Sequence, residues 1–170
     1  VLLAPTPAFP FPWPVGKFFG VLPETVLSHA PPIEETNISA LGDIDLIILS
    51  TQVWFLSPSL PVQAFFLSKE ACFLEGKKLL TVVSCRNMWH GAYRQLREMI
   101  VGSGAHHVGH ITITDDSPMI SSLIMTPRWL LTGRRDPLFG LLRRPGIAEA
   151  RINDLSRFAG PILEQFDNLH

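Results

Sequence analysis

The sequence has almost no cysteine and no excess of charge of either sign. Cys72 and Cys85 are the only two cysteines, and no CxxC spacing exists. A disulfide scaffold is therefore excluded, and a reduced, cytoplasmic compartment is the expectation. The 14 Lys and Arg residues balance 15 Asp and Glu, leaving a net charge of -1. A binder of the phosphate backbone carries a basic excess, so no nucleic-acid partner is expected. Long hydrophobic runs are lacking too. The apolar stretches Asp45–Leu49 and Leu79–Val83 fall far short of the roughly 20 residues of a membrane span. An integral membrane protein is not expected, and Val1 opens no signal-peptide pattern. The nucleotide motifs GxGxxG and GxxxxGK[ST] are missing, as is a Ser/Thr-rich phosphate loop after a strand. Gly102-Ser103-Gly104 follows a helical pattern, which is the wrong context.

What is there is apolar. Hydrophobic residues make up 46% of the 170 and charged residues 17%, which rules against an intrinsically disordered chain. The length suits a single domain over 1–170 with a real core. Its first part, 1–42, reads as an irregular Pro/Phe-rich segment. Eight of the 15 prolines fall within the first 32 residues, interleaved with Phe9, Phe11, Trp13, Phe18 and Phe19. Proline fixes φ and removes a donor, so no helix or central strand runs through this whole segment. Such segments lie extended over a surface and bury their rings. A polyproline ligand segment is the alternative.

From 43 to 170 the pattern is regular α/β. Asp45–Leu49 reads as a strand buried on both faces of a parallel sheet. Ser57-Pro58 reads as a helix cap with proline in the first turn, followed by a stripe of Leu60, Ala64, Phe65 and Leu67. Glu75-Gly76-Lys77 is a turn, and Lys78–Ser84 a second buried strand. His90–Gly102 is a helix with Tyr93, Leu96, Met99 and Ile100 on one face. Val108–Thr114 is a third strand. Arg128–Leu142 reads as a loop with a short helix. Ile147–Phe166 is the last helix, with Ile152, Leu155, Ala159, Ile162 and Phe166 inward and a kink at Gly160-Pro161. Alternating strands and helices predict a parallel sheet whose ligands bind at the carboxyl ends of the strands.

Two loops sit at those ends. The first, Ser50–Ser57, contains Thr51, Gln52, Val53, Trp54 and Phe55. Two adjacent large rings directly after a strand suit stacking by a planar ligand. The alternative is that Trp54 and Phe55 close the core under the next helix. The second loop, Ser84–His90, contains Cys85, Arg86, Asn87, Met88 and Trp89. Backbone N–H groups at a helix start favour carbonyl or anionic acceptors. The alternative makes Asn87 an N-cap and Trp89 a core plug.

Other clusters point elsewhere. His106, His107 and His110 offer a metal set drawn from one junction only, whereas metal sites take ligands from several elements. Cys85 with His90 would be a thiol and base at an unrecognised spacing. Asp115-Asp116 reads as a solvated loop. Arg134-Arg135 and Arg143-Arg144 would clamp a phosphate or a carrier protein's acidic face, or simply be solvated.

The stretch DLIILSTQVWFLSPSLPVQAF (Asp45–Phe65) resembles the third strand and flavin-facing loop of flavodoxin-like quinone and FMN reductases. With PFPWPVGKFFGVLPETVL (Pro10–Leu27), GKKLLTVVSCRNMW (Gly76–Trp89) and TPRWLLTG (Thr126–Gly133), it resembles the flavodoxin-like family of dialkylresorcinol condensing enzymes. The resemblance implies a flavodoxin-like three-layer α/β sandwich of strand order 2-1-3-4-5, with FMN as cofactor. It implies an FMN-dependent oxidoreductase that aromatises or tailors rings in dialkylresorcinol or related aryl-lipid biosynthesis. The substrate class it implies is a small aromatic or cyclic diketone bearing alkyl chains, and a homodimer is one open assembly state. Thr51–Phe55 would face the isoalloxazine, and Cys85–Trp89 its pyrimidine edge. Val1–Ala4 resembles the second strand of the family. The first strand and its Ser/Thr-Gly phosphate loop are thus expected to be missing from this chain, in the gap between the strands starting at Val1 and Asp45. A cofactor-free, acyl-handling or partner-binding protein on the same fold is the second hypothesis, including a condensing activity based on Cys85.

Overall fold

The computed structural model describes residues 1–115, 117–138, 142 and 144–164. The protein is α/β, built around a four-stranded, mostly parallel sheet. Strands β1 (Leu46–Trp54), β2 (Ser57–Pro58), β3 (Lys78–Cys85) and β4 (His106–Thr114) lie in the order β2-β1-β3-β4. β1, β3 and β4 run parallel, and only the two-residue β2 turns back on β1. Helices α1 (Val15–Val26), α2 (Leu60–Leu67), α3 (His90–Gly102), α4 (Met119–Thr132), α5 (Glu149–Asn153) and α6 (Ala159–Glu164) complete the chain. This architecture is consistent with a flavodoxin-like α/β sandwich.

β3 is the central strand, and its composition explains why. Leu79, Leu80 and Thr81 are buried in succession, so both faces of the strand are covered. On one face, Leu79 and Val83 meet Val62 and Phe65 of α2 and Leu96 and Ile100 of α3 in one apolar cluster. Ile47, Leu49 and Val53 of β1 pack against the same cluster. Each fully buried Leu or Ile in it stabilises the fold by about 1.5–3 kcal/mol relative to exposure. α3 runs over the predicted residues. Ser103 caps it, and Gly104 at φ 76° turns the chain into β4.

The structure corrects several expectations. β1 is not buried on both faces. Ile48 is 59% exposed, with Ser50 and Gln52 exposed beyond it. The register pairs Ile48 with Leu80, on the face away from the cluster of α2 and α3. A run of four apolar residues does not reveal that one of its faces stays wet. The first predicted loop is also mostly strand. β1 continues to Trp54, and only Phe55 and Leu56 make the turn, at φ 47° and 66°. Positive φ at both central residues gives a tight hairpin whose twist matches the flanking strands. Ser57-Pro58 is therefore β2, and the helix cap shifts to Ser59, with Pro61 in the first turn. Leu67 points to solvent, since α2 ends there and its covered face stops at Phe65.

The segment 1–42 is less irregular than expected. α1 forms between Pro14 and Leu27, where proline is absent until Pro23. Val1–Ala4 is not a strand of the sheet. Ala4 and Thr6 only bridge the chain near Ile33, through Glu34 N–H to Ala4 O and Thr6 N–H to Pro32 O, both 2.8 Å. Among the described residues β1 pairs with β3 alone up to Thr51, so its other edge is open over 46–51.

The expected loop at Arg128–Leu142 begins inside α4, which spans 14 residues and passes through Pro127. Gly133 ends it at φ 73°. The single last helix is instead α5, a 3-10 turn over Asp154–Phe158, and α6, which carries Gly160-Pro161 within it. Ile152 and Ala159 are exposed, while Leu155, Phe158 and Ile162 form the half-buried side. Phe166, Asp116 and Arg143 lie outside the described residues.

Candidate functional site at the carboxyl edge

Parallel pairing brings the two predicted segments together. Gln52 of β1 pairs with Ser84 of β3, one residue before Cys85. Past these residues, the Phe55-Leu56 turn meets the start of α3. A Cβ at Gly91 would lie 3.4 Å from the Leu56 carbonyl oxygen. Thr51–Phe55 and Cys85–Trp89 therefore occupy one edge of one sheet.

Within that edge, the residues fall into distinct environments. Thr51 is buried, its Oγ1 3.1 Å from Ser59 Oγ, so it fixes the hairpin to the start of α2. Val53 packs into the core. Gln52 is exposed, and its Oε1 accepts the Trp54 indole N–H at 3.3 Å. Trp54 and Phe55 are half-buried under rings of the N-terminal segment. Phe9 and Trp13 reach Trp54 at 5.4 and 6.0 Å, and Phe18 reaches Phe55 at 5.5 Å. The interplanar angles at Trp54 are 65° and 85°, so both neighbours meet it edgewise and neither lies flat on it. The rings of the Pro/Phe segment thus pack against the hairpin.

On the second segment, Asn87 and Met88 are exposed. Asn87 is no cap, since Trp89 takes the N-cap position without a side-chain bond. Trp89 joins the edge of the core and stacks on His90 at 4.0 Å. The Cys85 thiol is pushed up by burial, which favours the unreactive thiol over the thiolate. Arg86 is lowered by its own burial, against the pull of Asp115.

Asp115 is the member of this edge that the sequence did not single out as a partner. It follows β4, and its N–H donates to Cys85 O at 3.0 Å. Its Oδ1 accepts the Ser117 N–H at 2.9 Å and its Oδ2 the Ser122 hydroxyl at 3.4 Å. The turn into α4 is therefore filled by the chain's own carboxylate. An Asx pattern, Asp two residues before Ser, was the available signal.

The donor set tests the implied flavin. Gln52 and Asn87 are exposed at this edge, and the two rings that meet Trp54 do so edgewise. The phosphate is not matched. The Ser-rich start of α4 already holds the Asp115 carboxylate, so a phosphate there would meet like charge, and at the start of α2 the Ser59 hydroxyl is engaged by Thr51. Asp115 thus opposes an FMN phosphate at the start of α4.

The remaining clusters resolve differently. No group of three His, Cys, Asp or Glu residues suited to a metal exists among the described residues. Arg135 stacks on Trp129 and donates to Pro145 O at 3.2 Å, while Arg128 pairs with Asp136 at 2.7 Å. No helix among the described residues is long and apolar enough to cross a membrane. No protein-family model matches the chain, and no curated protein and no solved structure matches it.

Proposed function

We propose that the carboxyl edge binds a flat heteroaromatic ring of the isoalloxazine class, and that the chain is a flavin-dependent oxidoreductase. The observation that carries this reading is the Gln52–Ser84 register. With the two segments at one edge, Trp54, Gln52 and Asn87 are the groups offered to such a ring, and among the described residues no ring lies flat on Trp54. The resemblance to dialkylresorcinol-type enzymes adds the reaction class, aromatisation of a dialkylated cyclic diketone. A bound flavin supplies the electron acceptor for such chemistry, and the protein supplies position and exclusion of water. Leu56 and Met88, both exposed at this edge, offer apolar surface to alkyl chains.

Titration of FMN and riboflavin, followed by flavin fluorescence, tests the reading. The ring carries the binding, so the two ligands are expected to bind with dissociation constants within about threefold. Trp54→Ala should weaken both by about tenfold or more, the range of ring stacking on an aromatic. The absence of saturable quenching, or equal binding to Trp54→Ala, overturns it.

A second reading is favoured by a different observation. Ile48 is exposed on the wet face of β1, beside an open strand edge. A cofactor-free, partner-binding protein would use that surface. It predicts no shift in melting temperature on adding either flavin. A condensing activity at Cys85 gains nothing from the site, since burial pushes the thiol pKa up and so disfavours the thiolate nucleophile.

A further inference from the structure

We propose that a groove between α3 and the start of β4 binds a small organic oxyanion, a carboxylate carried on an apolar body. The groove has a volume of about 520 Å³ and lies over the first residues of β4, away from the carboxyl edge. Its wall holds Arg97, His106 and His107 beside Tyr93, Val101 and Val108. Among the described residues no acidic one lines it, and Arg97 brings a positive charge. Arg97 has no carboxylate partner among the described residues, although it is close enough to His107 to act on it electrostatically. An unpaired guanidinium beside the His107 imidazole is a fork of donors that matches a carboxylate.

The floor of the groove is held rigid. Thr81 Oγ1 lies 3.1 Å from His107 Nε2 and 2.8 Å from His110 Nδ1. Thr112 Oγ1 closes the far side of His110, 2.7 Å from its Nε2. The Tyr93 ring covers His110 with centroids 3.9 Å apart. The imidazoles of His107 and His110 are thus fixed before a ligand arrives, which lowers the ordering cost of binding. Val101, 65% exposed, and Val108 give a neighbouring apolar surface for the body of the ligand.

The test is a titration with sodium benzoate and, separately, sodium acetate, followed by NMR of the histidine ring protons. Their assignments come from His106→Gln and His107→Gln. Saturable shifts are expected at these histidines, with benzoate binding several-fold more tightly than acetate because of its ring. Arg97→Gln, an exposed position, should fold normally and weaken benzoate by about tenfold or more. Trp54→Ala should leave benzoate binding unchanged, which separates this site from the flavin reading. Unaltered affinity in Arg97→Gln, or acetate binding as tightly as benzoate, overturns the proposal.

Discussion

The Gln63 side chain, wholly buried in α2, donates from its Nε2 to the carbonyl of Thr25 in α1 at 3.0 Å, across 38 residues of sequence. The same nitrogen donates to Pro58 O at 2.7 Å, so one amide ties α1, β2 and α2 together. Gln63→Leu keeps the volume and leaves both carbonyls without this donor. We expect a loss of about 1–3 kcal/mol, less what is regained by removing the unpartnered Oε1. Thermal unfolding should show a drop of roughly 2–4 °C per kcal/mol lost. An unchanged melting temperature would show that the two carbonyls find water.

Trp54→Ala should loosen the N-terminal segment before it unfolds the sheet. Trp54 is half-buried, with Phe9 and Trp13 as edgewise neighbours. Each aromatic pair contributes about 0.5–1.5 kcal/mol beyond area burial. Limited proteolysis should cut the variant faster among residues 1–14 while the sheet remains intact. A global loss of about 3–5 kcal/mol, as for a core ring, would instead make Trp54 a core plug.

Gly133 should resist substitution for two separate reasons. It sits at φ 73° as the residue after α4, and a Cβ there would lie 3.2 Å from Pro12 Cγ. Gly133→Ala is expected to cost about 1 kcal/mol from the left-handed backbone alone. Gly133→Val should cost more than Ala, and the difference measures how far Pro12 yields. Equal stabilities for Ala and Val in chemical denaturation would show that Pro12 moves freely.

Acid should weaken the fold through His110. Its pKa is lowered from 6.5 to about 4, first by burial and then by His107. Thr81, Thr112, Tyr93 and Trp89 surround the same ring and bring no negative charge to it. The unfolded chain therefore takes up a proton at a higher pH than the folded one. Stability is fully present above pH 6.5 and is lost progressively as the pH falls through about 4. His107, lowered in the same direction, adds to the slope. Melting temperature against pH should flatten over this window in His110→Gln, and an identical slope would exclude His110 as the source.

Much of the central fold was legible in the sequence. α3 and β3 follow from unbroken periodicity and a glycine stop. What misled was mostly local. α4 was hidden by Pro127, which reads as a break, although the helix keeps its course through it. The hairpin could not be read, because Phe55 and Leu56 adopt a left-handed backbone that turn signals assign to glycine or asparagine. The two-sided burial read into β1 failed at Ile48, since an apolar side chain states a preference and not the presence of a covering layer. At the candidate site, the sequence placed both segments on one edge. It did not reveal that Phe9, Trp13 and Phe18 come back from the Pro-rich start to pack on it.

The open edge of β1 sets a clock that β3 does not share. β3 is flanked on both sides, so its amides have a bonding partner in one neighbour or the other. Along β1 the N–H groups alternate between β3 and the unpaired side. Amide hydrogen exchange along residues 46–51 should therefore alternate slow and fast with period two, against uniformly slow exchange in β3.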